Sequence, residues 1–256
     1  MAWVHCRHQP VANVDAIIFD KDGTLADSRP FLRALAVARA WAATKVLGKP
    51  DQDMMTHLLD RFGVTPDGLD PDGLMAVGTR RANQDVVIAC LVEDGYSAEG
   101  AVALTTQLFT AVDTQMTEKT AQTPPFVGTE ALLRRLSQGL IRLGVLSSDS
   151  PAYVDQFLTA YGLTPWIMAW RGTGTDDPPK PDPTLLIDLC DALGVNVANT
   201  LIVGDSWVDL SLAQGAGAAG FLSVSEAWGR PPVAGADLIL WSWDDLWVAE
   251  PGQSAP

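Results

Sequence analysis

Residues 14–28 read VDAIIFDKDGTLADS. The apolar run over 14–19 is short and rich in β-branched side chains, which is typical of a buried β-strand. Aspartate, lysine, glycine and threonine follow it at once. We therefore predict a strand over 14–19 whose carboxyl end carries a group of polar, mostly acidic side chains.

Similar apolar runs recur along the second half of the chain, with helical patterns between them. The further predicted strands cover 141–146, 166–170, 200–203, 219–224 and 237–241. Helices are predicted over 151–161 and 183–193, since each begins at a proline and stops at a glycine. This alternation indicates an α/β fold, namely a doubly wound, Rossmann-like parallel sheet covered by helices on both faces.

The segment 30–122 interrupts this alternation, because it contains no convincing strand. It consists of amphipathic stretches rich in alanine and leucine. The predicted helices cover 30–47, 51–62, 74–93 and 98–120. We interpret the segment as an all-α domain inserted after the first strand. The predicted organisation is an α/β core over 1–28 and 123–256, and a helical domain over 29–122.

The composition argues against several classes of function. The 256-residue chain is 47% hydrophobic and 19% charged, and its 17 basic and 31 acidic side chains give a formal net charge of −14. So acidic a chain is unsuited to a broad electrostatic contact with nucleic acid or with an anionic membrane. We therefore expect neither of these partners. A small anionic substrate stays possible, because a bound metal ion reverses the local charge.

The cysteines and the first residues of the chain indicate in which cellular compartment we expect the protein. Cys6, Cys90 and Cys190 are far apart and form no CxxC pair, which disfavours a disulfide framework or a zinc site. The first residues do not resemble a signal peptide, and no apolar run approaches the roughly 18 residues of a membrane span. We expect a cytoplasmic protein, as a monomer or a homodimer.

The polar residues that follow the predicted strands form one chemical group. Ligands of such sheets bind beyond the carboxyl ends of the strands, so we expect these residues to meet at one edge. They are Asp20, Asp22, Ser147, Ser148, Asp205 and Asp209, with Lys180 in a loop before a helix. Several carboxylates in one cleft need a counter-charge. Mg²⁺ is the predicted cofactor, because it prefers hard oxygen ligands and binds one or two carboxylates together with phosphate oxygens.

The same group of residues suits the chemistry of a phosphate ester. The Ser147 hydroxyl and the Lys180 ammonium are suitable partners for phosphate oxygens. An aspartate can attack phosphorus and form an aspartyl phosphate. Asp22 lies two residues after Asp20, on the same side of an extended segment, where it can give or take a proton.

Four quoted motifs, FDKDGTLADS, GVLSSDS, KPDP and VGDSWVDL, occur in this order along the chain. Together they resemble the four-motif pattern of the haloacid dehalogenase superfamily, over about residues 14–225. The resemblance is to the branch that carries a helical cap between the first two motifs. That branch includes phosphoglycolate phosphatase-like enzymes and β-phosphoglucomutase. The resemblance therefore implies that the inserted helical domain is a cap and that the α/β core is catalytic.

The resemblance implies a role for each matched residue. Asp20 is the implied nucleophile and a Mg²⁺ ligand, and Asp22 the implied general acid and base, with its backbone carbonyl on the metal. Ser147, Ser148 and Lys180 are implied to hold the transferring phosphoryl group. Asp205 is implied to bind Mg²⁺, and Asp209 to support the metal shell or Lys180. Asp22 disfavours dehalogenation, because the dehalogenase branch lacks this aspartate.

Three residues depart from the pattern or have no assigned role. Ser148 stands where asparagine is common, and Lys21 stands where relatives usually have an apolar or small residue. Trp207 lies inside the fourth motif, where it suits packing or a substrate contact. The C-terminal tryptophans Trp241, Trp243 and Trp247 are expected to pack in the core or at its edge.

The sequence thus predicts a Mg²⁺-dependent phosphatase that hydrolyses a small phosphorylated metabolite, a phosphate monoester, through an aspartyl phosphate. The alternatives are a phosphomutase of the β-phosphoglucomutase kind and a non-catalytic binding protein that kept the fold. The core residues grip only the phosphoryl group, so the cap is expected to select the substrate. Arg80 and Arg81 are adjacent in a predicted helix, where at most one of them is expected to face a cleft and contact an anionic leaving group.

Overall fold

The computed structural model describes residues 1–48, 52–116, 119–174, 176–225 and 232–249. The chain divides into two compact units, one formed by Met1–Asp27 with Pro124–Pro256 and the other by Ser28–Thr123. These limits lie within one residue of the two domains expected from the sequence.

The strands and helices alternate in the first unit, and helices dominate the second. The strands are β1 Ala2–Cys6, β2 Gln9–Val14, β3 Ala16–Phe19, β4 Val64–Thr65, β5 Gly68–Leu69, β6 Arg142–Leu146, β7 Ala169–Arg171, β8 Thr200–Gly204, β9 Gly220–Val224, β10 Leu238–Leu240 and β11 Leu246–Val248. The helices are α1 Arg29–Val46, α2 Gln52–Phe62, α3 Leu74–Val77, α4 Arg80–Glu93, α5 Ala98–Gln115, α6 Thr129–Ser137, α7 Pro151–Ala160, α8 Thr184–Leu193 and α9 Trp207–Ala216.

The main sheet of the first unit is parallel, with the strand order β10-β9-β8-β3-β6-β7. Strand β3 lies between β6 and β8, and Ile17 pairs with both Leu143 and Leu201. Ile17 and Phe19 pack into one apolar core with α6 and α7, whereas Ala16 and Ile18 pack into a second core with α8 and α9. The predicted doubly wound α/β fold is therefore confirmed, because helices cover both faces of the sheet.

The strand predicted over 166–170 is displaced in the structure. Thr164–Trp166 forms a 3₁₀ turn, and β7 begins only at Ala169. In that turn the amides of Trp166 and Ile167 donate to the carbonyls of Leu163 and Thr164, three residues earlier. These amides are therefore used locally and are not free for the sheet.

A three-stranded antiparallel sheet, β11-β1-β2, joins the two ends of the described chain and was not predicted. His5 in β1 pairs opposite Trp247 in β11, and their rings stack with centroids 4.2 Å apart. The ring of Trp243 meets the edge of Phe19, whereas Trp241 is half-exposed. Trp243 and Trp247 thus pack against the core unit, in agreement with the expectation for this tryptophan-rich stretch.

The second unit packs its helices around one apolar core that includes Phe62, Leu91 and Phe109. It also contains the short ribbon β4-β5, where no strand was predicted. The helix predicted over 74–93 is two helices, because Gly78 and Thr79 are extended and the Thr79 hydroxyl caps α4 by accepting the Ala82 amide. The predicted helix start at Asp51 and residues 117–118 of the predicted helix 98–120 lie outside the described residues.

Within the described ranges, no helix combines the length and apolar character that a bilayer crossing requires.

Candidate active site

Asp20, the first aspartate of the first motif, directly follows β3. The Asp20 amide donates to the Val203 carbonyl of β8 at 2.9 Å. The chain then turns sharply, because the Lys21 carbonyl accepts from the amides of Leu25 and Ala26. Asp20 is therefore held at the carboxyl edge of the sheet.

Lys180, in the loop before α8, contacts several groups at this edge of the sheet. Its Nζ donates to Asp20 Oδ1 at 2.7 Å, to Asp209 Oδ1 at 3.0 Å and to the Leu146 carbonyl at 2.7 Å. An ammonium has three protons, so all of its donors are used. Burial alone lowers the pKa of Lys180, but Asp20 and Asp209 outweigh it and raise that pKa. In this state Lys180 orients the predicted nucleophile.

Asp209 is fixed by the start of α9. Its Oδ2 accepts from the Ser206 hydroxyl at 2.6 Å and from the Ser206 amide, while Ser206 caps the helix in return. Gly204 makes this approach possible, since a Cβ there would lie 2.6 Å from the Asp209 Cβ. Asp205 stands beside this turn, and its Oδ1 accepts from Thr24 Oγ1 at 3.4 Å.

The acidic residues of this edge fit a hard divalent cation. Asp20, Asp205 and Asp209 are buried and offer carboxylate oxygens that all lie within 4.8 Å of one another. Burial raises the pKa of Asp20 to about 7, although Lys180 opposes this shift. A site that disfavours its own negative charge gains from a cation. Because both Asp209 oxygens accept hydrogen bonds from Lys180 and Ser206, Asp20 and Asp205 are better suited as ligands.

The two serines of the second motif differ in their exposure to solvent. Ser147 is buried directly after β6, and its Oγ accepts from the Asp149 amide at 3.1 Å. Ser148 is exposed. Gly172 lets the neighbouring loop pack against this turn, because a Cβ there would lie 2.4 Å from the Pro151 nitrogen. Ser147 also follows Leu146, whose carbonyl accepts from Lys180.

Asp22 is held by residues to which the sequence assigned no role. The Nζ of Lys21 lies 2.6 Å from Asp22 Oδ1 and 2.9 Å from Asp149 Oδ2. Lys21 is fully buried; burial acts to lower its pKa, but Asp22 and Asp149 raise it overall. A lysine between two aspartates, separated by one residue from the end of an apolar strand, was the signal that could have drawn attention to this cluster.

The two arginines singled out in the helical unit have carboxylate partners. Arg80 pairs with Asp113 of α5 at 2.9 Å, and Arg81 pairs with Asp85 on the exposed face of α4. Arg39 was not predicted as a functional residue, yet its buried guanidinium also pairs with Asp113 and lies 4.3 Å from the centroid of the Phe109 ring.

Buried carboxylates, two buried lysines and a serine at the carboxyl edge of a parallel sheet define an α/β enzyme suited to phosphate esters. The family model for haloacid dehalogenase-like hydrolases matches residues 14–217. The chain belongs to this family, and the predicted resemblance is confirmed. The prediction of an enzyme of the phosphatase class is also confirmed.

Similar proteins agree with this assignment. A phosphoglycolate phosphatase of Neisseria meningitidis serogroup A is 28% identical over 248 residues, which cover 92% of this chain and 87% of that protein. A structure from Haemophilus somnus, described as a predicted phosphoglycolate phosphatase, superimposes with a TM-score of 0.65 and 21% identity, covering 91% of this chain and 96% of that one. A Thermotoga maritima structure assigned as a β-phosphoglucomutase has a TM-score of 0.55 and 20% identity, covering 88% and 93%. Both structures share the fold.

Proposed function

We propose that the chain is a Mg²⁺-dependent phosphatase that hydrolyses a small phosphate monoester through an aspartyl phosphate on Asp20. The observation that carries the proposal is the placement of Asp20. It is buried at the sheet edge, its Oδ1 is held by Lys180, and Asp205 and Asp209 lie beside it. A fixed carboxylate with one oxygen bound to an ammonium leaves the other oxygen available for attack.

In the first step, an Asp20 oxygen forms a bond to phosphorus while the bond from phosphorus to the leaving oxygen breaks. Asp22 gives its proton to that leaving alkoxide, which departs as an alcohol. The buried Ser147 hydroxyl is suited to donate to a phosphoryl oxygen, and the Lys180 ammonium is suited to offset the phosphoryl charge, in the roles that the family resemblance implies. To bond a phosphoryl oxygen directly, Lys180 would exchange one of its three contacts, with Asp20, Asp209 or the Leu146 carbonyl, for that oxygen. Ser148, which is exposed, would join them from the outer side of the same turn.

In the second step, a water molecule attacks the phosphorus of the aspartyl phosphate. Asp22 takes a proton from this water, and the bond between phosphorus and Asp20 breaks to release inorganic phosphate. Asp22 therefore alternates between acid and base and returns to its protonated form, so the cycle closes.

Mg²⁺, when bound, supplies positive charge that offsets the phosphoryl oxygens and the carboxylates around them. Asp20 and Asp205 would hold it through their carboxylates, and Asp22 through its backbone carbonyl. Asp209 would support this arrangement by fixing Lys180.

We further propose that 2-phosphoglycolate, or a similarly small phosphorylated metabolite, is the substrate. The names of the relatives support this choice. The segment 29–122 would act as the cap that selects it, with the core over 1–28 and 123–256 performing the chemistry. Arg80 and Arg81 both stay candidates for a contact with the leaving group, although each is paired with a carboxylate, Arg80 with Asp113 and Arg81 with Asp85. A cytoplasmic location and a monomeric or dimeric state stay predictions.

A panel of phosphate esters tests the proposal. We expect the protein with Mg²⁺ to release inorganic phosphate from 2-phosphoglycolate and from p-nitrophenyl phosphate. Conversion of β-glucose 1-phosphate to glucose 6-phosphate without net phosphate release would instead identify a mutase. Absence of any turnover with Mg²⁺ over the whole panel would contradict the proposal.

A further inference from the structure

Lys21 is a charged residue of the candidate site to which the proposed mechanism gives no task. Only 1% of its side chain is exposed, and its Nζ lies 2.6 Å from Asp22 Oδ1 and 2.9 Å from Asp149 Oδ2. The same ammonium lies 5.3 Å from the centroid of the Phe157 ring. This cluster therefore lies entirely within the α/β unit.

The charge of Lys21 calls for an explanation. A buried ammonium is unfavourable unless it is paired. The two residues before Asp20, Ile18 and Phe19, are fully buried and apolar, so this end of β3 readily accommodates apolar side chains. Neutralising Asp149 would be a purely structural reason for the lysine. The shorter of its two contacts, however, is to Asp22.

Two buried lysines of the candidate site, Lys180 and Lys21, each contact one of the predicted catalytic carboxylates. Lys180 holds Asp20 and also contacts Asp209, whereas Lys21 holds Asp22 and also contacts Asp149. Each carboxylate that has to take part in bond making or proton transfer therefore has its own ammonium. In both pairs the second carboxylate anchors the lysine, and this geometry restricts where the first carboxylate can turn.

We propose that Lys21 is a positioning residue for Asp22, which it holds by Oδ1 so that Oδ2 carries the exchanging proton. This inference rests on the proposed function, because it assumes that Asp22 is the acid and base of phosphoryl transfer. A carboxylate with one oxygen fixed has fewer orientations to lose when it meets the leaving group or the attacking water. Lys21 itself transfers no proton and touches no substrate in this proposal.

The effect of Lys21 on turnover should depend on the leaving group of the substrate. An alkoxide needs a proton in order to leave, whereas p-nitrophenolate leaves without one. Loss of the Asp22 orientation should therefore slow the first step for alkyl phosphates and spare it for p-nitrophenyl phosphate. The second step, in which Asp22 takes a proton from water, should slow for both substrates.

The test compares Lys21→Met with the wild-type enzyme in saturating Mg²⁺. The ratio kcat/KM reports the steps up to departure of the first product. For the fastest alkyl phosphate of the panel, we expect kcat/KM to fall about 30-fold or more, since acid–base catalysis contributes roughly 10²–10⁴-fold. For p-nitrophenyl phosphate we expect kcat/KM to fall less than about threefold, while kcat falls and a burst of p-nitrophenolate appears. Lys45→Met, at an exposed position of α1, should match the wild type.

A second variant separates positioning from simple charge balance. Lys21→Met with Asp149→Asn restores the formal charge of the three-residue cluster, and it also serves as the test enzyme if the single variant does not fold. We expect the same selective loss on alkyl phosphates. Recovery of wild-type kcat/KM on the alkyl phosphate would overturn the inference, because Lys21 would then only neutralise Asp149. An equal loss on both kinds of ester, without a burst, would overturn it as well.

The wild-type measurements distinguish this failure from failure of the proposed function. A wild-type enzyme that hydrolyses neither ester contradicts both proposals. A wild-type enzyme that hydrolyses both esters, next to Lys21 variants that treat them alike, contradicts only the role of Lys21.

Discussion

Asp20 shows how one residue acquires reactivity from its surroundings. Its backbone continues the ladder between β3 and β8, so its position is set by the sheet. Burial raises its pKa, and Lys180 counteracts that effect through a 2.7 Å contact with Oδ1. The side chain is therefore kept in place by a cation and not by solvent.

Asp20→Asn should reduce turnover to below about a hundredth of the wild-type rate, because the amide is a poor nucleophile and a weaker metal ligand. The fold should persist, since the amide has nearly the same shape. Phosphate release and circular dichroism measure the two effects. Asp15→Asn is a matched control at the opposite end of β3, where Asp15 pairs with the amino terminus. Substantial activity in Asp20→Asn would refute the assignment of the nucleophile.

The turn between β8 and α9 shows how an element places several groups at once. Gly204 ends the strand, Asp205 points to the acidic cluster, and the cap formed by Ser206 and Asp209 starts the helix. Asp209 therefore serves the helix and Lys180 together.

Gly204→Ala should disturb this turn, because the added Cβ would meet the Cβ of Asp209 at 2.6 Å. We expect a loss of about 1–3 kcal/mol in the free energy of unfolding, as for an overpacked core, together with lower turnover. Denaturant unfolding and kcat measure the two effects. Gly194→Ala provides the control: its φ of +66° makes alanine unfavourable, but the site is open and lies away from the acidic cluster. Unchanged activity in Gly204→Ala would show that Asp209 tolerates displacement.

Within the helical unit, α1, α4 and α5 meet at Asp113, which accepts from the buried Arg39 and the more exposed Arg80. Asp113→Asn should cost about 2 kcal/mol of unfolding free energy, because it leaves the buried guanidinium of Arg39 without its counter-charge. Asp85→Asn makes the same chemical change in an exposed pair and should cost less than about 0.5 kcal/mol. Equal effects of the two substitutions on denaturant unfolding would contradict the structural role of Arg39.

On the scale of the whole molecule, the acidic edge and the net charge of −14 act in the same direction. Both favour the binding of a cation over that of an anion, so a phosphorylated substrate is expected to depend on the metal. The parallel sheet concentrates negative charge at one edge, because it brings together aspartates that are nearly 190 positions apart in the sequence.

Removal of divalent ions with EDTA should abolish turnover, and Mg²⁺ should restore it. Mg²⁺ should also raise the Tm in 150 mM NaCl, because a ligand at 100 times its Kd adds about 2.7 kcal/mol of stability. Asp205→Ala should lose most of this shift and require much more Mg²⁺ for turnover. An equal Tm shift in that variant would show that the ion binds elsewhere, for example to the many surface carboxylates.

Much of the site could be predicted from the sequence because its residues follow buried strands directly. The apolar runs before Asp20, Ser147 and Asp205 identify strands, and the geometry of a parallel sheet brings their carboxyl ends together. The order of the four motifs along the chain also indicated the protein family. These signals are local, and they do not depend on how the helices pack.

The remaining features depend on contacts between residues far apart in the chain. The sheet of β11, β1 and β2 pairs the two ends of the described chain. The division of the helix predicted over 74–93 is a local exception, because Gly78 and Thr79 are extended and the Thr79 hydroxyl caps α4. The sequence by itself determined the α/β class, the acidic edge and the family. Only the tertiary structure decided that Lys21 holds Asp22 and Asp149, because a charged side chain acquires its partners from the fold and no local pattern specifies them.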